Sequence, residues 1–311
     1  MSVTGDPIKE LFDNIEAERA IINDPEVAHV VIDQNKVLGL RAVPGLHVDV
    51  EEKENGIAAK ITVDKGFIIK KTVHMCFGVI PENGIQNIDM DVHVHRGAAV
   101  SILAHCVFPN AIDVRHVMQA IIRVDDNASY SYLEKHLHGD RGGVTVLPTA
   151  NIVLGKNARL KTEFELLKGR VGVMDIKYHT DCGEESVLEM IARINGTGDD
   201  IIKISESGTL AARSTGVLNS KIALRDHAKA DIYNKLVATG PYARGHVDCK
   251  EIVKDQAVAT ATPIVEVRDP KAHITHEAAI GSVDSKQLQT LMSRGLSEDD
   301  ATELIIQGLL S

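Results

Sequence analysis

The feature that most narrows the possible folds is a small residue that returns at a fixed step. A turn residue, then alanine, then an alternating run occurs at "GAAV" (Ala98), "NASY" (Ala128) and "NARL" (Ala158). The unit returns at "HAKA" (Ala228), "YARG" (Ala243), "QAVA" (Ala257) and "KAHI" (Ala272). The step from Ala98 to Ala128 equals that from Ala128 to Ala158. Successive alanines of the second set are spaced at half that step, to within one position. One step is twice the other, a ratio that independent turns have no reason to keep. Self-similarity at such a period signals stacked repeats. A coil of about 30 residues with two strands, and an alanine inside each tight corner, meets the pattern if coils stack at about 4.8 Å. The expectation is an all-β core, a β-solenoid or closely related coiled sheet, with a regular antiparallel sandwich as the competing arrangement. Between Ala158 and Ala228 the step blurs through "GEESVLEMIARINGTGDD", where an irregular excursion is expected.

Composition agrees with stacked layers. Tryptophan is absent and aromatic residues make up 3% of 311 residues, whereas a globular core of this length normally uses more. The formal charge of −10, with no Lys/Arg run, argues against a nucleic-acid surface. No apolar stretch approaches the ~18 residues of a membrane span. The opening "MSVTGDPIKELFDNIEAERA" is charged and lacks an apolar h-region, so no secretory signal is expected there. Cys76, Cys106, Cys182 and Cys249 are widely separated and form no CxxC pair. That is a poor disulfide framework, and it suits a reducing cytoplasm.

The ends read as helices. Asp6-Pro7 caps a run with Ile8, Leu11, Phe12 and Ile15 at helical spacing, so residues 1–25 are expected to hold an N-terminal helix. The β core is expected over 26–282, and a helical region over 283–311. Within the latter, Asp284 with Gln287 three residues on heads a run carrying Leu288, Leu291 and Met292, which ends at Gly295. Ser297 heads a second run with Leu304 and Ile305 on its apolar face. Such helices can close the open edge of a solenoid or serve as a docking surface for another protein.

Several polar clusters could carry chemistry. His93 and His95 form an HxH pair on one strand face, and His105, Cys106 and His116 gather nearby. The interval from His105 to His136 is close to one coil, so they are expected to stack on neighbouring coils. His93, His95, His105 and His136 therefore support one enzyme reading, a metal-dependent hydrolase or lyase on a β-helix. No GxxxxGK[ST] loop and no GxSxG elbow are present. In "GHVDCKEIV", Gly245, Val247 and Cys249 share one face of an extended chain while His246, Asp248 and Lys250 share the other. The interval from Cys249 to Glu277 is also near one coil, which would bring thiolate, carboxylate and the His276 imidazole within reach. Strict alternation instead places Ala278 in register with Cys249 and turns Glu277 to the opposite face, so a bulge would be needed to unite them.

These residues resemble a known family. "CKEIV", "TPIVEVRDPKAHITHEAAIG" and "DSKQLQTLMSRGLSEDDATELIIQG" are similar to the C-terminal half of SufB/SufD proteins, scaffold subunits of iron–sulfur cluster assembly. "HMCFGVIPENG" and "HCVFPNAIDVRHVM" are similar to the N-terminal half of short members. The resemblance covers about residues 25–310. It implies a right-handed parallel β-helix whose C-terminal helices, 284–310, dock a SufC-like ABC ATPase. It implies a homodimer acting with two such ATPase subunits, and apo-proteins as acceptors. It further implies that Cys249 matches the SufB cysteine associated with the nascent cluster and that Glu277 is its acidic partner; His276 is expected close by, as an alternative ligand or as a group that supports the ligands. ATP hydrolysis would then reside in the partner, leaving this chain a scaffold and not an enzyme. Two departures stand out: Thr275 precedes His276 where SufB members commonly carry an acid, and the chain is much shorter than a long SufB. The long form's sulfur-relay role is accordingly assigned to none of the other cysteines. Stable iron–sulfur holders use four thiolates. One thiolate with a carboxylate per chain, doubled across a two-fold axis, would hold a cluster more loosely and permit transfer.

Overall fold

A computed structural model describes residues 24–311. The helix expected over 1–25 falls outside the described residues, apart from Asp24 and Pro25. In chain order the strands begin with β1 (His29–Asp33), β2 (Lys36–Arg41), β3 (Leu46–Lys53), β4 (Gly56–Val63) and β5 (Val73–Gly78). They continue as β6 (Asn83–Val94), β7 (Ala99–Phe108), β8 (Asp113–Val124), β9 (Ser129–His138) and β10 (Val144–Leu154). Next are β11 (Arg159–Lys168), β12 (Gly172–Cys182), β13 (Val187–Gly196), β14 (Ile201–Leu210) and β15 (Thr215–Leu224). The last are β16 (Lys229–Ala238), β17 (Arg244–Val253), β18 (Val258–Val267) and β19 (His273–Gly281), followed by helices α1 (Ser285–Met292) and α2 (Glu298–Leu310).

From β5 onward, odd-numbered strands stack in one sheet and even-numbered strands in the other. Each strand pairs in parallel with the strand two along the chain, for example Ala99↔Ser129 and Ser129↔Arg159. This is a parallel β-solenoid. Two antiparallel hairpins, β1–β2 and β3–β4, start it.

The corner column explains the alanine step. Ser129 donates its backbone N–H to the Ala98 carbonyl, Arg159 to Ala128, Val187 to Ala158, Thr215 to Ser186, Arg244 to Ser214, and His273 to Ala243, each at 2.9 Å. The small residues 98, 128, 158, 186, 214, 243 and 272 thus form one unbroken column. The residue before each of the first six adopts a left-handed backbone: Gly97, Asn127, Asn157, Glu185, Arg213 and Tyr242 have φ between 53° and 69°. Outside glycine such φ is uncommon and asparagine tolerates it best. Here the Asn157 amide also donates to Asn127 Oδ1 at 2.9 Å, a rung between coils.

The expected excursion after Ala158 is absent. Its residues supply a regular corner and β13, with Ser186 and Ser214 standing where other coils have alanine. Their hydroxyls donate back to the Gly183 and Ala211 carbonyls, so a polar residue fits the tight corner without an unmet hydrogen bond. A second corner column, Asp200, Ala228 and Ala257, enters the other sheet and produces the half-coil step.

The interior is filled by residues stacked at equal depth, such as Ile176, Ile204 and Ile232. Facing sheets filled with branched side chains need no tryptophan.

Both helix caps form as the sequence indicates: Asp284 accepts from the Gln287 N–H at 2.7 Å, and Ser297 from Asp300 at 3.2 Å. Neither cap places a helix over the last strands' inner face. Helix α2 lies against the outer face of the odd sheet, where Ile306 and Leu310 pack with Ala223 and Ile252. The Arg225–Glu303 pair at 2.5 Å and Lys221 donating to the Ser311 carbonyl at 2.8 Å fasten it. Helix α1 has no buried residue. The inner column ends open: Val247, Cys249 and Glu251 of β17 are buried, whereas their register partners His276, Ala278 and Ile280 of β19 are exposed.

Corner packing yields a prediction. Ala128→Leu forces extra methylenes into a sealed turn and should lower stability by about 1–3 kcal/mol in urea unfolding. A loss below about 0.5 kcal/mol would show that the corner has room to spare.

Candidate functional site

Alternation on β17 turns Gly245, Val247, Cys249 and Glu251 inward and His246, Asp248 and Lys250 outward, as the sequence implied. Cys249 is 0% exposed. Its neighbours are not only aliphatic. The Asn234 amide donates to Cys249 Sγ at 3.7 Å and to Ser220 Oγ at 2.8 Å. Ser220 stacks directly on Cys249, and Glu206 stacks on Asn234. Glu251 follows two residues after Cys249 on the same face, and neither of its carboxylate oxygens has a hydrogen-bond partner. One Glu206 oxygen is likewise unpartnered. Burial pushes the Cys249 thiol up to about 12, with the Glu251 charge contributing next. It pushes Glu206 up to about 8 and Glu251 up to about 7. At neutral pH the chamber therefore holds a protonated thiol and a largely protonated Glu206.

Glu277 is elsewhere. The β17–β19 pairing runs without a bulge from Arg244↔His273 to Ile252↔Gly281, so Cys249 pairs with Ala278 and Glu277 with Asp248. Glu277 stands exposed on the outer face, where its carboxylate, Asp248 and His246 bring donor atoms within 4.8 Å of one another. Lys250 donates to Asp248 Oδ2 at 2.9 Å, and His246 Nδ1 meets Thr275 Oγ1 at 2.8 Å. His276 is in register with inward Val247 but lies exposed at the open end. The three expected site residues thus occupy adjacent strands, with Cys249 inside, His276 at the rim and Glu277 outside.

Ser220, Asn234, Glu206 and Glu251 were not singled out in the sequence. The signal existed: Glu251 is two residues beyond Cys249, and Ser220 precedes it by one coil. Polar residues at coil spacing are readable once the register is known.

The four-histidine grouping does not assemble. His93 and His95 share Asp125 at 3.0 and 3.3 Å on the outer face of the even sheet. His136 points inward and stacks on Cys106, not on His105, whose register partner is Lys135. The step from Cys106 to His136 is the same as from Ala99 to Ser129, so His105, one residue off it, faces the other way. Cys76 packs with Val31, Ile80 and Val107, and burial pushes the Cys182 thiol up to about 12.

The buried carboxyls set a pH dependence. Glu206 ordinarily titrates near 4.5 and is raised to about 8 in the fold. Across that window the folded chain binds more protons than the unfolded one, so Glu206 lowers stability as pH rises. Glu206→Gln removes this slope. Its stability advantage over wild type should grow by on the order of 3–5 kcal/mol between about pH 5 and pH 9. A constant gap in urea midpoints would show that Glu206 is hydrated.

Comparison with known proteins places this architecture. The family described as SUF system FeS cluster assembly, SufBD core domain, matches residues 92–309. An iron–sulfur cluster assembly SufBD family protein of Methanocaldococcus jannaschii is 36% identical over 309 residues, 97% of this chain and 98% of that protein. One of Pyrococcus horikoshii is 36% identical over 285 residues, 91% of this chain and 87% of that protein. A second from Pyrococcus horikoshii is 31% identical over 252 residues, 76% of this chain and 53% of that protein. The matched region takes in the solenoid from the end of β6 to β19 and both helices, and the chain belongs to the SufBD family of iron–sulfur cluster assembly.

Proposed function

We propose that the chain is a scaffold on which iron–sulfur clusters are built and then passed to acceptor apo-proteins, with ATP hydrolysis supplied by an ABC ATPase subunit. The observation that carries this reading is the open end of the solenoid. Cys249 lies one strand beneath it, and the residue in register above is Ala278, a single methyl group. A cluster approaching from the end meets His276 at the rim, then Cys249, with Glu277 on the outer side of the same strand. A thiolate, an imidazole and a carboxylate form a mixed set that binds iron less firmly than four thiolates, which favours release.

The same end supports self-association. β18 and β19 terminate their sheets, so their outer edges offer unpaired backbone groups. Ile280 is 46% exposed and shares its strand face with exposed Ala278, an apolar surface that a second copy would cover. A two-fold axis through this end brings two Cys249 residues toward one shared cargo. The ATPase is assigned to the helices: Leu291, Leu304 and Ile305 line a groove between α1 and α2 of about 420 Å³, edged by Lys286, Gln287 and Thr290. No described helix is long and apolar enough to cross a membrane, and the cytoplasm is the proposed location.

Anaerobic reconstitution with iron and sulfide tests the site. Cys249→Ser should lose bound iron and acid-labile sulfide while costing about 1 kcal/mol of stability. Glu277→Ala should retain the fold and bind the cluster more weakly. Unchanged iron and sulfide in Cys249→Ser would reduce Cys249 to a core residue.

The docking assignment has its own test. Leu291→Glu should abolish co-purification of the ATPase and leave the thermal midpoint unchanged, since α1 has no buried residue. Retained ATPase would move that interface off the helices.

A further inference from the structure

A second polar cluster lies inside the solenoid, several coils from Cys249. Cys106 on β7, His116 on β8 and Glu134 on β9 are each fully buried, and their donor atoms lie within 4.8 Å of one another. We propose that Cys106, His116 and Glu134 form a site for one divalent transition-metal ion of the Zn2+, Co2+ or Fe2+ class.

The hydrogen bonds around the cluster determine where its lone pairs point. The Gln86 amide nitrogen donates to the Gln34 carbonyl at 2.9 Å and to the Gly78 carbonyl at 3.1 Å. Gln86 Oε1 must therefore be the acceptor facing His116 Nδ1 at 3.0 Å, and Nδ1 carries the proton. In the neutral ring, Nε2 is left bare, and it faces Cys106 Sγ at 3.8 Å. Burial holds His116 in that neutral form. Outer-shell partners that hold one ring nitrogen protonated are the usual companions of a metal-binding histidine.

Glu134 is backed in the same way. His138 Nδ1 donates to the Arg170 carbonyl at 3.2 Å, so its Nε2 accepts from His136 Nδ1 at 3.0 Å. His136 Nε2 then meets Glu134 Oε1 at 2.7 Å, across one shared proton. This chain holds the carboxyl still, with the Tyr132 hydroxyl as a further interacting group, and presents Oε1 to Cys106.

The spacing suits a small tetrahedral ion. Metal–sulfur bonds of about 2.3 Å and metal–nitrogen or –oxygen bonds of about 2.0–2.1 Å place tetrahedral donors about 3.6 Å apart. Cys106 Sγ lies 3.8 Å from His116 Nε2 and 3.6 Å from Glu134 Oε1. A soft thiolate beside imidazole and carboxylate favours zinc-like ions over magnesium or calcium. On binding, the Cys106 S–H bond breaks, the sulfur pair passes to the metal and one proton leaves to solvent. The proton shared by His136 and Glu134 passes to His136, so that thiolate and carboxylate offset the ion's two charges while His136 carries one positive charge, and a ligand the size of water fills the fourth position. None of this depends on Cys249.

Refolding the full chain anaerobically with one equivalent of Co2+ tests the site. Wild type should retain about one cobalt per chain after desalting and show a thiolate-to-cobalt charge-transfer band. The band should persist in Cys249→Ala and vanish in Cys106→Ala, while His116→Gln and Gln86→Leu weaken cobalt affinity roughly tenfold or more. A band that vanishes only in Cys249→Ala, or a folded wild type that keeps no cobalt, overturns the proposal. Should Cys106→Ala fail to fold, X-ray absorption on the wild type decides. One sulfur at about 2.3 Å with nitrogen and oxygen at about 2.0–2.1 Å supports the site, and a first shell without sulfur overturns it.

Discussion

The structure depends on the ladder of backbone hydrogen bonds between successive coils. Each strand pairs in parallel with the strand one coil away, and parallel pairing is stable only where the register is held and both faces are managed. The corners hold that register. In the first corner column a left-handed residue followed by a small one closes each turn, and the small residue's carbonyl accepts from the next coil. A bulky corner residue would push coils apart along the whole stack. Alanine and serine both meet this demand, alanine by having nothing to bury and serine by donating to its own turn.

Once register is held, side chains have no freedom over their neighbours. Every inward residue stacks on the inward residue of the adjacent coil, so a polar residue is either matched or stranded. Cys249 is matched by Ser220 below and reached by Asn234 from the facing sheet. Glu206 is only partly matched and Glu251 not at all, and their raised titration is the electrostatic cost of that position. Cys106, His116 and Glu134 converge because three strands bring inward polar residues to one depth. The solenoid thus concentrates chemistry inside a scaffold whose walls are isoleucine and valine.

The last coil differs because nothing follows it. Helix α2 packs on the sheet's flank, through Ile306 and Leu310, and not across the end. The final strands keep unpaired edges, and residues that would be interior in any other coil are exposed. Under the proposed function this is where a second chain and an assembling cluster would approach, with His276 exposed at the rim and Cys249 buried one strand beneath it.

Much of this was legible without coordinates. The spacing of small residues determined the solenoid and its two strands per coil, because a corner admits only a small side chain. The alternation "GHVDCKE" determined which residues share a face, and the capping patterns at Asp284 and Ser297 determined both helix starts. Whether a bulge interrupts the register was decided only by the tertiary structure: coils stepping from Val114 to Val144, Val187 to Thr215 and Thr215 to Arg244 differ in length yet keep the same faces inward, because the corners absorb the difference. With no bulge, His105 and His136 stay on opposite faces, as do Cys249 and Glu277. The same register brings Glu134 to Cys106 and His116 from a third strand, a meeting that the sequence spacing did not single out.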